Sequence, residues 1–495
     1  MGCAAVTQIA GARILVLGLG VTGESVVRAL NSLPHEQQPN AVWTLDVKAP
    51  NATFASADEV DLEQVDLIIA SPGWAPSSEI LVSAAVRRIP TWSEIELAWH
   101  LRVPNAVTGK PAPWLGVTGT NGKTTTVQML ESILTADGQE TAAVGNVGRP
   151  VVEAALDPAL DILALELSSF QLHFTHSMSL VAGAVLNVAP DHIDWHGTYE
   201  DYARAKGKIF DRAQVACVYN TSDPLTRTLV EDADVCDGAR AIGFTLGAPK
   251  RSELGMVEDV LCDRAFHLPH DHPERHSSAA ELATLADLAH LAGPTGQVPP
   301  HVIANALAAA ALARAAGVDA KSVRAGLRSF SPGGHRIALI ASYGVLADGS
   351  LGAVSFVDDS KATNAHAAAA SLDSFADSHV VWIAGGLAKG ATFDELVASR
   401  RDKLRAAVII GVDQQPMLKA FAQYAPEVPL TVVDPTEAES VMHRAVQAAY
   451  RYAQADDVVL MAPACASMDQ FSSYADRGDS FAAAVGLVVG TAKVE

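Results

Sequence analysis

Residues 114–126, which read WLGVTGTNGKTTT, decide the fold of this chain. A short apolar run leads into a glycine-rich turn, and the turn opens into TVQMLESILTADG, where apolar residues recur at helical spacing. The N–H groups of such a turn, with the free N–H groups and positive end of the following helix, form a socket for phosphate. The stretch therefore predicts a strand, a phosphate loop and a helix.

The residues of the turn indicate which phosphate it would hold. Gly119 and Gly122 let the backbone curl, Lys123 would reach the β- and γ-phosphates of a nucleotide, and Thr124 would place its hydroxyl on the accompanying Mg²⁺. Val117 stands where the strict G-x-x-x-x-G-K-[ST] pattern has glycine, so the loop is a variant of that motif. A plain connecting turn is the alternative. The strand and helix on either side favour binding of a nucleoside triphosphate.

Composition limits the classes of protein to consider. The 495 residues suffice for two to four domains, and 49% hydrophobic with 18% charged residues is typical of an ordered globular protein. A net charge of −21 argues against general binding to nucleic acid or anionic membranes. The five cysteines lack C-x-x-C spacing, and no apolar run approaches the ~18 residues of a membrane span. We expect a cytoplasmic protein that neither binds nucleic acid nor inserts into a membrane.

The N-terminal region carries a second nucleotide-binding pattern. Residues 13–30 read RILVLGLGVTGESVVRAL, in which a buried strand, a G-x-G-x-x-G turn and a helix follow one another. The next strand ends at Asp46, where an acidic residue would bind a ribose, and a later strand ends at Ser71 and Gly73. These features predict a Rossmann-like domain for NAD or another diphosphate nucleotide. An α/β domain without a nucleotide is the alternative.

Charged residues follow two apolar runs of the central region. Glu166 lies in DILALELSSF, where an ionised carboxylate must be paired or bind a metal, unless it is a surface glutamate at a strand end. A buried run and a helix with Lys206 flank four further polar residues: Asp191, His192, Asp194 and His196. This cluster suits a metal or phosphate site, or else a polar loop. A zinc site is disfavoured because a third strong ligand is missing.

The remaining sequence divides the chain. PNAVTGKPAP at residues 104–113 and FSPGGHR at residues 330–336 resist regular structure and mark boundaries. After the second breaker comes a hairpin-like stretch, YGVLADGSLGAVSF at residues 343–356. Strands then alternate with helices, which predicts another parallel doubly wound sheet. Cys465 suggests a nucleophile, although a buried thiol is favoured. We predict domains at residues 1–110, 111–335 and 336–495.

This order of domains, and nine short motifs, resemble the Mur ligases over nearly the whole chain. The motifs are GLGVTG, SPG, TGTNGKTT, GNVG, ELSSFQL, DHIDWH, GHR, DDSKATN and PACASMDQF. The resemblance implies an α/β fold of three domains: a Rossmann-like N-terminal domain, a central P-loop ATPase-type parallel sheet and a C-terminal Rossmann-like doubly wound sheet. The last two motifs indicate the branch of the family that adds D-glutamate.

The activity implied by the resemblance is ATP-dependent amide formation. D-glutamate would be joined to UDP-N-acetylmuramoyl-L-alanine through an acyl phosphate, in peptidoglycan precursor synthesis for cell wall, shape and division. The enzyme would use ATP and two Mg²⁺ ions and act as a monomer. A sister ligase for another amino acid, a dehydrogenase that explains only the first 100 residues, and a P-loop switch without ligase activity are the alternatives.

The resemblance also assigns residues. The catalytic residues would be Lys123, His192, Lys206 and Lys361. ATP would contact Gly119, Thr120, Asn121, Gly122, Lys123, Thr124, Thr125, Asn305, Arg336 and Asp359. The UDP-linked substrate would contact Val21, Thr22, Asp46, Val47, Lys48, Ser71, Gly73, Asn146, Ser168 and His192. D-glutamate would contact Lys389, Ser467 and Tyr474. The two Mg²⁺ ions would be held by Thr124, Glu166, His192 and Lys206, the last carbamylated by CO₂.

Three positions depart from the family pattern. Lys48 replaces arginine, so a phosphate would meet a point charge without bidentate geometry. Val302 removes one amide from the adenine motif His-Asn-x-x-Asn, in which Asn305 is kept, and Tyr474 stands where phenylalanine is common.

Overall fold

The computed structural model describes residues 9–269, 271–292, 296–331, 337–436 and 441–491. These residues form two compact units: the described parts of Met1–Asp287 with Val302–Phe330, and those of Leu288–His301 with Ser331–Glu495. Within the described ranges, no helix combines the length and apolar character needed to cross a membrane.

The first unit begins with a four-stranded parallel sheet in the order β2-β1-β3-β4. Its strands are β1 (Arg13–Leu17), β2 (Ala41–Leu45), β3 (Leu67–Ala70) and β4 (Thr91–Trp92), and its helices are α1 (Val21–Ser32), α2 (Glu79–Val86) and α3 (Glu94–Leu101). Alternate residues of β1 enter different apolar clusters, Ile14 on one face and Leu15 on the other. Both faces of the sheet are therefore covered, as the continuous apolar run predicts.

A nine-stranded sheet follows in the same unit, in the order β13-β12-β11-β10-β9-β8-β5-β7-β6. Its strands are β5 (Trp114–Thr118), β6 (Thr141–Gly145), β7 (Ile162–Glu166), β8 (Ala182–Val185), β9 (Ala216–Asn220), β10 (Arg240–Phe244), β11 (Glu253–Val257), β12 (Val260–Asp263) and β13 (Ala280–Thr284). The accompanying helices are α4 (Lys123–Ala136), α5 (Val151–Ala155), α6 (Ser169–His173), α7 (Ile193–His196), α8 (Tyr199–Gly207), α9 (Pro224–Glu231), α10 (Pro300–Ala315) and α11 (Ala320–Ser329).

The register of this sheet fixes the position of the phosphate loop. Strand β5 pairs in parallel with β7 on one side and β8 on the other, so that Val117 lies opposite Glu166 and Ala184. Carboxyl ends of parallel strands meet at one edge, where ligands of such sheets bind. The loop after β5 is therefore flanked by the segments that follow β7 and β8.

The two sheets of the first unit share one apolar core. A single buried cluster contains Ile14 from β1 and Trp114 from β5. Helix α3 adds a polar connection, because Glu96 accepts hydrogen bonds from the backbone N–H groups of His176 and Ser177 at 2.8–3.0 Å and contacts His100 at 3.3 Å. Burial alone would raise the pKa of Glu96, but these hydrogen bonds outweigh it and lower the pKa to about 2.

We expect Glu96→Gln to destabilise the protein by about 3 kcal/mol at pH 7, the equivalent of a pKa lowered from 4.5 to about 2. Because the folded pKa lies below the unfolded one, this stabilisation is complete above pH 4.5 and is lost as the pH falls towards 2. Urea unfolding at pH 7 and pH 3 measures the difference. Glu79→Gln on the surface of α2 is the matched control. Equal unfolding energies of the two variants at pH 7 would contradict the assignment.

The second unit contains a six-stranded sheet in the order β14-β15-β19-β16-β17-β18. Its strands are β14 (Ala338–Val345), β15 (Leu351–Asp358), β16 (Val380–Gly385), β17 (Leu404–Ile410), β18 (Leu430–Val432) and β19 (Asp457–Met461). Its helices are α12 (Ala365–Leu372), α13 (Asp394–Arg400), α14 (Gln415–Tyr424), α15 (Val441–Tyr452) and α16 (Tyr474–Thr491). Separate apolar clusters, one with Trp382 and one with Val381, show that both faces are covered.

The predicted α/β class with three sheets is confirmed, with one difference in detail: strands β12 and β13 of the central sheet pair antiparallel with their neighbours. In the last sheet, β14 and β15 form the antiparallel pair that the hairpin-like stretch predicts. The central and last sheets are therefore mixed at one edge. Residues 223–300, whose sequence indicates only short β-like pieces such as AIGFTLG, supply β10 to β13. The three domain boundaries stay a prediction.

Candidate active site

The phosphate loop is held in its curled form by the neighbouring chain. Asn121 donates its backbone N–H to Asn187 Oδ1 at 2.9 Å, and Asn187 Nδ2 donates to the Asn121 carbonyl at 3.1 Å. Thr120 Oγ1 lies 2.9 Å from the hydroxyl of Tyr202 and accepts from the Ala189 N–H at 2.9 Å. The loop is therefore preorganised by residues that follow β8, and a phosphate group would meet it already shaped.

Gly122 is the position of the loop where glycine is required by both conformation and space. Its φ is +84°, and a Cβ placed there would lie 2.5 Å from Asn305 Oδ1. Asn305 is buried on α10. The predicted adenine-site residue thus packs directly against the phosphate loop.

We expect Gly122→Ala to raise the KM for ATP about tenfold, because a methyl group must displace Asn305. Gly138→Ala is the matched control, since Gly138 has φ +81° and open space around it. Both variants should lose about 1 kcal/mol of stability through the left-handed backbone alone. Steady-state kinetics and thermal unfolding separate the two effects. Unchanged ATP kinetics in Gly122→Ala would contradict the role of Asn305.

Two lysines converge on the carbonyl groups of the loop. Lys123 Nζ donates to the carbonyls of Gly119 and Thr120 at 2.9 Å each, and Lys206 Nζ donates to Gly119 at 2.8 Å. Lys206 is 2% exposed. Its pKa lies well below the usual lysine value, first because of burial and then because of the nearby Lys123 charge. The amine of Lys206 is therefore suited to be neutral, beside the charged amine of Lys123.

Glu166, the last residue of β7, supplies a buried carboxylate beside the loop. It is 2% exposed, and its Oε1 accepts a hydrogen bond from Asn146 Nδ2 at 2.9 Å. Its Oε2 is buried and has no hydrogen-bond partner among the described residues. A buried carboxylate oxygen without a partner is costly unless a cation binds it, so the position fits Mg²⁺.

The metal-binding capacity of the site does not rest on a cluster of protein ligands. Within the described parts of the chain, no group of three or more His, Cys, Asp or Glu side chains could hold a metal ion. A Mg²⁺ ion keeps waters and takes nucleotide phosphates together with one or two carboxylates. Glu166 and the Thr124 hydroxyl are donors of the kind that such an ion uses.

The histidines after β8 lie in an aromatic cluster. His192 has φ +52° at the start of α7, and its ring packs against Phe170 with centroids 4.7 Å apart. His196 Nε2 lies 2.9 Å from Ser169 Oγ, and its pKa is lowered to about 4, chiefly by burial. His196 is thus neutral at physiological pH, whereas His192 Nε2 lies 3.6 Å from Asp191 Oδ2. The geometry favours His192 over His196 for contact with a ligand.

Residues predicted for the UDP-linked substrate surround the glycine-rich turn after β1. Asp46 accepts the Leu19 N–H at 2.7 Å on one oxygen and the Lys48 N–H at 2.8 Å on the other. These bonds, that from Leu19 foremost, lower the pKa of Asp46, so its carboxylate organises the turn. Val21 and Val47 are 74% and 75% exposed. Two exposed apolar side chains near this turn suit the faces of a nucleobase.

The other residues predicted to contact the UDP-linked substrate lie in two places: some follow strands β1 and β3 of the first sheet, and the others lie at the second sheet. Ser71 Oγ donates to the Gly18 carbonyl at 3.3 Å, and Thr22 lies in the first turn of α1. Gly73 has open space around it. Asn146 and Ser168, by contrast, lie at the carboxyl edge of the nine-stranded sheet, next to Glu166.

The second unit carries the predicted D-glutamate residues at the carboxyl edge of its own sheet. Lys361 Nζ lies 3.4 Å from the Tyr474 hydroxyl, and Ser360 Oγ donates to the Tyr474 carbonyl at 2.7 Å. Lys389 has φ +49° and lines an open groove. Ser467 is buried in the segment that follows β19.

Two further features of this edge bear on the predictions. Asp359 is buried and accepts a hydrogen bond from Ser371 Oγ. Cys465 is 2% exposed, and burial raises its pKa to about 12, which confirms the buried thiol and not a nucleophile. Arg336, predicted to contact ATP, lies outside the described residues.

Sequence analysis missed several residues that shape these sites. Asn187 and Tyr202 hold the phosphate loop, as described above. Arg477 is fully buried and donates to the carbonyls of Ser360 and Cys465, so it joins the two motifs that distinguish this branch. The available signal was a basic residue between Asp476 and Asp479 at the start of α16.

The fold and this site define an α/β enzyme of the P-loop nucleotide-binding class. The family profile of the Mur ligase middle domain matches residues 117–313, and that of the Mur ligase glutamate ligase domain matches residues 346–465. The chain belongs to the Mur ligase family. The resemblance inferred from the motifs is thereby confirmed.

Similarity to named relatives extends over almost the full length. The UDP-N-acetylmuramoylalanine--D-glutamate ligase of Bifidobacterium adolescentis is 48% identical over 472 residues, which are 95% of this chain and 96% of the relative. The protein of the same name from Streptomyces coelicolor is 48% identical over 490 residues, 97% of this chain and 98% of the relative.

Solved structures resemble the fold. UDP-N-acetylmuramate-alanine ligase MurC from Thermotoga maritima has a TM-score of 0.53 at 17% identity, with 95% of this chain and 98% of that chain covered. The MurF ligase from Thermotoga maritima in complex with ADP has a TM-score of 0.54 at 16% identity, with 98% and 96% covered. At these identities the likeness concerns the fold alone.

Proposed function

We propose that this chain is the ligase that adds D-glutamate to UDP-N-acetylmuramoyl-L-alanine with ATP, in peptidoglycan precursor synthesis. The observation that carries the proposal is the similarity of 48% identity, over 95% or more of the chain, to relatives named for that reaction. The buried Glu166 beside a preformed phosphate loop supports the use of ATP with Mg²⁺.

The reaction would proceed in two steps. An oxygen of the L-alanyl carboxylate attacks the γ-phosphorus of ATP, a new C–O–P linkage forms, and the bond to the β-phosphate oxygen breaks to release ADP. The amine of D-glutamate then attacks the acyl carbon, the C–N bond forms, and inorganic phosphate leaves. The nitrogen loses its proton, for which His192 or a nearby carboxylate is the proposed acceptor. A ring nitrogen of His192 that binds Mg²⁺ cannot take the proton as well, so the carboxylate would serve when His192 is a metal ligand.

The residues of the phosphate loop would act by positioning and by charge. Lys123 lies against the loop carbonyls and would turn to the γ-phosphate, where its charge offsets the charge of the transferring group. Two Mg²⁺ ions would be held by Thr124, Glu166, His192 and the carbamate of Lys206, and would supply neutralisation of phosphate charge. Asn305 and Arg336 would contact the remainder of ATP.

The other substrates would use the remaining predicted residues. Val21, Thr22, Asp46, Lys48, Ser71, Gly73, Asn146 and Ser168 would bind the UDP-linked substrate. In the second unit, Lys389 and Ser467 would bind the carboxylates of D-glutamate with Tyr474 beside them, and Lys361 and Asp359 would serve the ATP chemistry. Domains at residues 1–110, 111–335 and 336–495, a cytoplasmic location and a monomeric state belong to the same proposal.

The test is release of ADP and phosphate by the purified chain with Mg²⁺, ATP and UDP-N-acetylmuramoyl-L-alanine, across a panel of D- and L-amino acids. We expect release only when D-glutamate and the nucleotide sugar are both present, with an amide product of the mass of their adduct. Release with another amino acid would keep the ligase class and overturn the substrate. Release without a second substrate would favour a nucleotide switch.

A further inference from the structure

The buried pair Glu94 and Gln171 links the first sheet of the first unit to the second. Glu94 is the first residue of α3 and is 4% exposed. Its Oε1 accepts a hydrogen bond from Gln171 Nε2 at 2.6 Å. Neighbouring contacts strengthen the junction, because Ser93 Oγ lies 2.9 Å from Thr175 Oγ1 and the Ser93 N–H donates to the Phe174 carbonyl at 2.9 Å.

Gln171 uses its other side-chain atom to fix the turn at Ser168. Gln171 Oε1 accepts the Ser168 N–H at 2.7 Å, and Ser168 Oγ accepts the Gln171 N–H at 3.2 Å, which together form a capping box at the start of α6. The amide therefore has a defined orientation, with its oxygen towards Ser168 and its nitrogen towards Glu94. Ser168 lies two residues after Glu166, whose carboxylate is bonded to Asn146.

Stability alone does not explain an acid at position 94. Burial raises the pKa of Glu94, and the hydrogen bond from Gln171 opposes this rise. No positively charged group contributes to the shift of the pKa. Glu94 Oε2 is buried without a hydrogen-bond partner among the described residues. A buried carboxyl group with one unsatisfied oxygen is less favourable than an apolar side chain of similar size. What it provides is an acceptor that orients the Gln171 amide.

We propose that Glu94 is a positioning residue for the UDP-linked substrate: through Gln171 it sets the turn at Ser168, so that the first sheet fixes a substrate contact on the second. This inference rests on the proposed function for the identity of the substrate. The orientation of the turn can be measured without that substrate. The KM for the substrate and the hydrogen exchange of the Ser168 amide therefore test the proposed function and the positioning role separately.

The decisive variants exchange the donor and acceptor across the pair. In Gln171→Glu, at a pH that ionises both groups, the two carboxylates repel each other across the 2.6 Å contact, so the side chain at position 171 turns away from Glu94 and from the Ser168 N–H. In the double variant Glu94→Gln with Gln171→Glu, the new amide at position 94 donates to the new carboxylate at position 171, and the connection is restored in reverse. Glu94→Gln alone keeps an oxygen as acceptor for Gln171.

We expect Gln171→Glu to raise the KM for UDP-N-acetylmuramoyl-L-alanine about tenfold, and the double variant to recover to within about threefold of the unaltered enzyme. Glu94→Gln alone should give a smaller rise than Gln171→Glu. The KM values for ATP and D-glutamate should stay within about twofold in all three, because the pair orients the turn at Ser168, which is predicted to contact the UDP-linked substrate and neither ATP nor D-glutamate. If the pair served only the stability of the fold, the variants would lower the free energy of unfolding without a selective rise in the KM for UDP-N-acetylmuramoyl-L-alanine.

Hydrogen exchange at the Ser168 amide is the second readout. We expect exchange about tenfold faster in Gln171→Glu and restored protection in the double variant. If the double variant regains protection of the Ser168 amide but no variant, nor the unaltered enzyme, turns over the nucleotide sugar, the positioning role stands and the proposed substrate is wrong. A double variant as impaired as Gln171→Glu in both readouts, or a Gln171→Glu variant with unchanged exchange, would overturn the positioning role.

Discussion

Replacement of Lys123 by alanine is expected to lower kcat by at least about 10³-fold, the largest effect of any single change considered. The Lys123 ammonium lies 2.9 Å from the carbonyls of Gly119 and Thr120, within the curl of the loop. During phosphoryl transfer, negative charge spreads over the oxygens of the γ-phosphate, and a fixed positive charge at this position stabilises that state more than bound ATP. The measurement is steady-state release of ADP with all three substrates.

Two controls make the result specific. Lys123→Arg keeps the charge but not the compact ammonium, so we expect a loss intermediate between the alanine variant and the unaltered enzyme. Lys321→Ala removes an exposed charge from the first turn of α11 and should leave kcat unchanged. Thermal unfolding checks that each protein is folded. A Lys123→Ala enzyme within tenfold of the unaltered kcat would refute the role of the lysine.

Sequence analysis could locate the phosphate loop because its signal is local. The apolar run of β5, the glycines and the helical spacing of α4 fall within about 25 consecutive residues, and each obeys a rule about the chain's own backbone. The same holds for the turn after β1. Glu166 could be singled out for a related reason, since a charge within an apolar run has few physical explanations.

The supports of these residues could not be found in the same way. Asn187 contacts Asn121 across 66 residues, and Gln171 contacts Glu94 across 77 residues, so neither pair shares a local pattern. Amide and carboxyl side chains at such positions are indistinguishable from surface residues until the sheet order is known. The order β7-β5-β8 places Asn187 beside the phosphate loop, and no single strand specifies that order. The contact of Glu94 with Gln171 joins two different sheets.

The antiparallel edge of the central sheet was missed because its strands are short. Strands β11, β12 and β13 contain four or five residues each, and β12 has a register shift at Leu261. Alternation over so few residues does not distinguish a strand from an extended loop. Buried Asp263, which accepts hydrogen bonds from the N–H groups of Ala265 and Phe266 and pairs with Arg314, stabilises this edge through contacts distant in sequence.

The second large effect concerns Lys206, whose replacement by arginine is expected to lower kcat by at least about 10²-fold. Lys206 is fully enclosed, and burial, followed by the charge of Lys123, holds its pKa well below the usual value. A neutral amine can attack CO₂: the N–C bond forms, one C=O π bond opens to an oxygen, the nitrogen gives up a proton, and a carbamate results whose two oxygens share one negative charge. Arginine stays charged and cannot be modified in this way.

The modification has a direct readout besides activity. Enzyme equilibrated with ¹³C-bicarbonate should show one carbamate carbon signal by NMR, and Lys206→Arg should lack it. Because the folded pKa of Lys206 is lowered, the amine is neutral above that pKa and becomes protonated as the pH falls through it, so the carbamate should be lost on acidification. A carbamate would place anionic oxygen donors close to Glu166 and the phosphate loop, where the neutral amine of an unmodified lysine would offer Mg²⁺ no negative charge. Full activity in CO₂-free buffer without a carbamate signal would show that Lys206 acts as an amine, and the second metal position would then have to be abandoned.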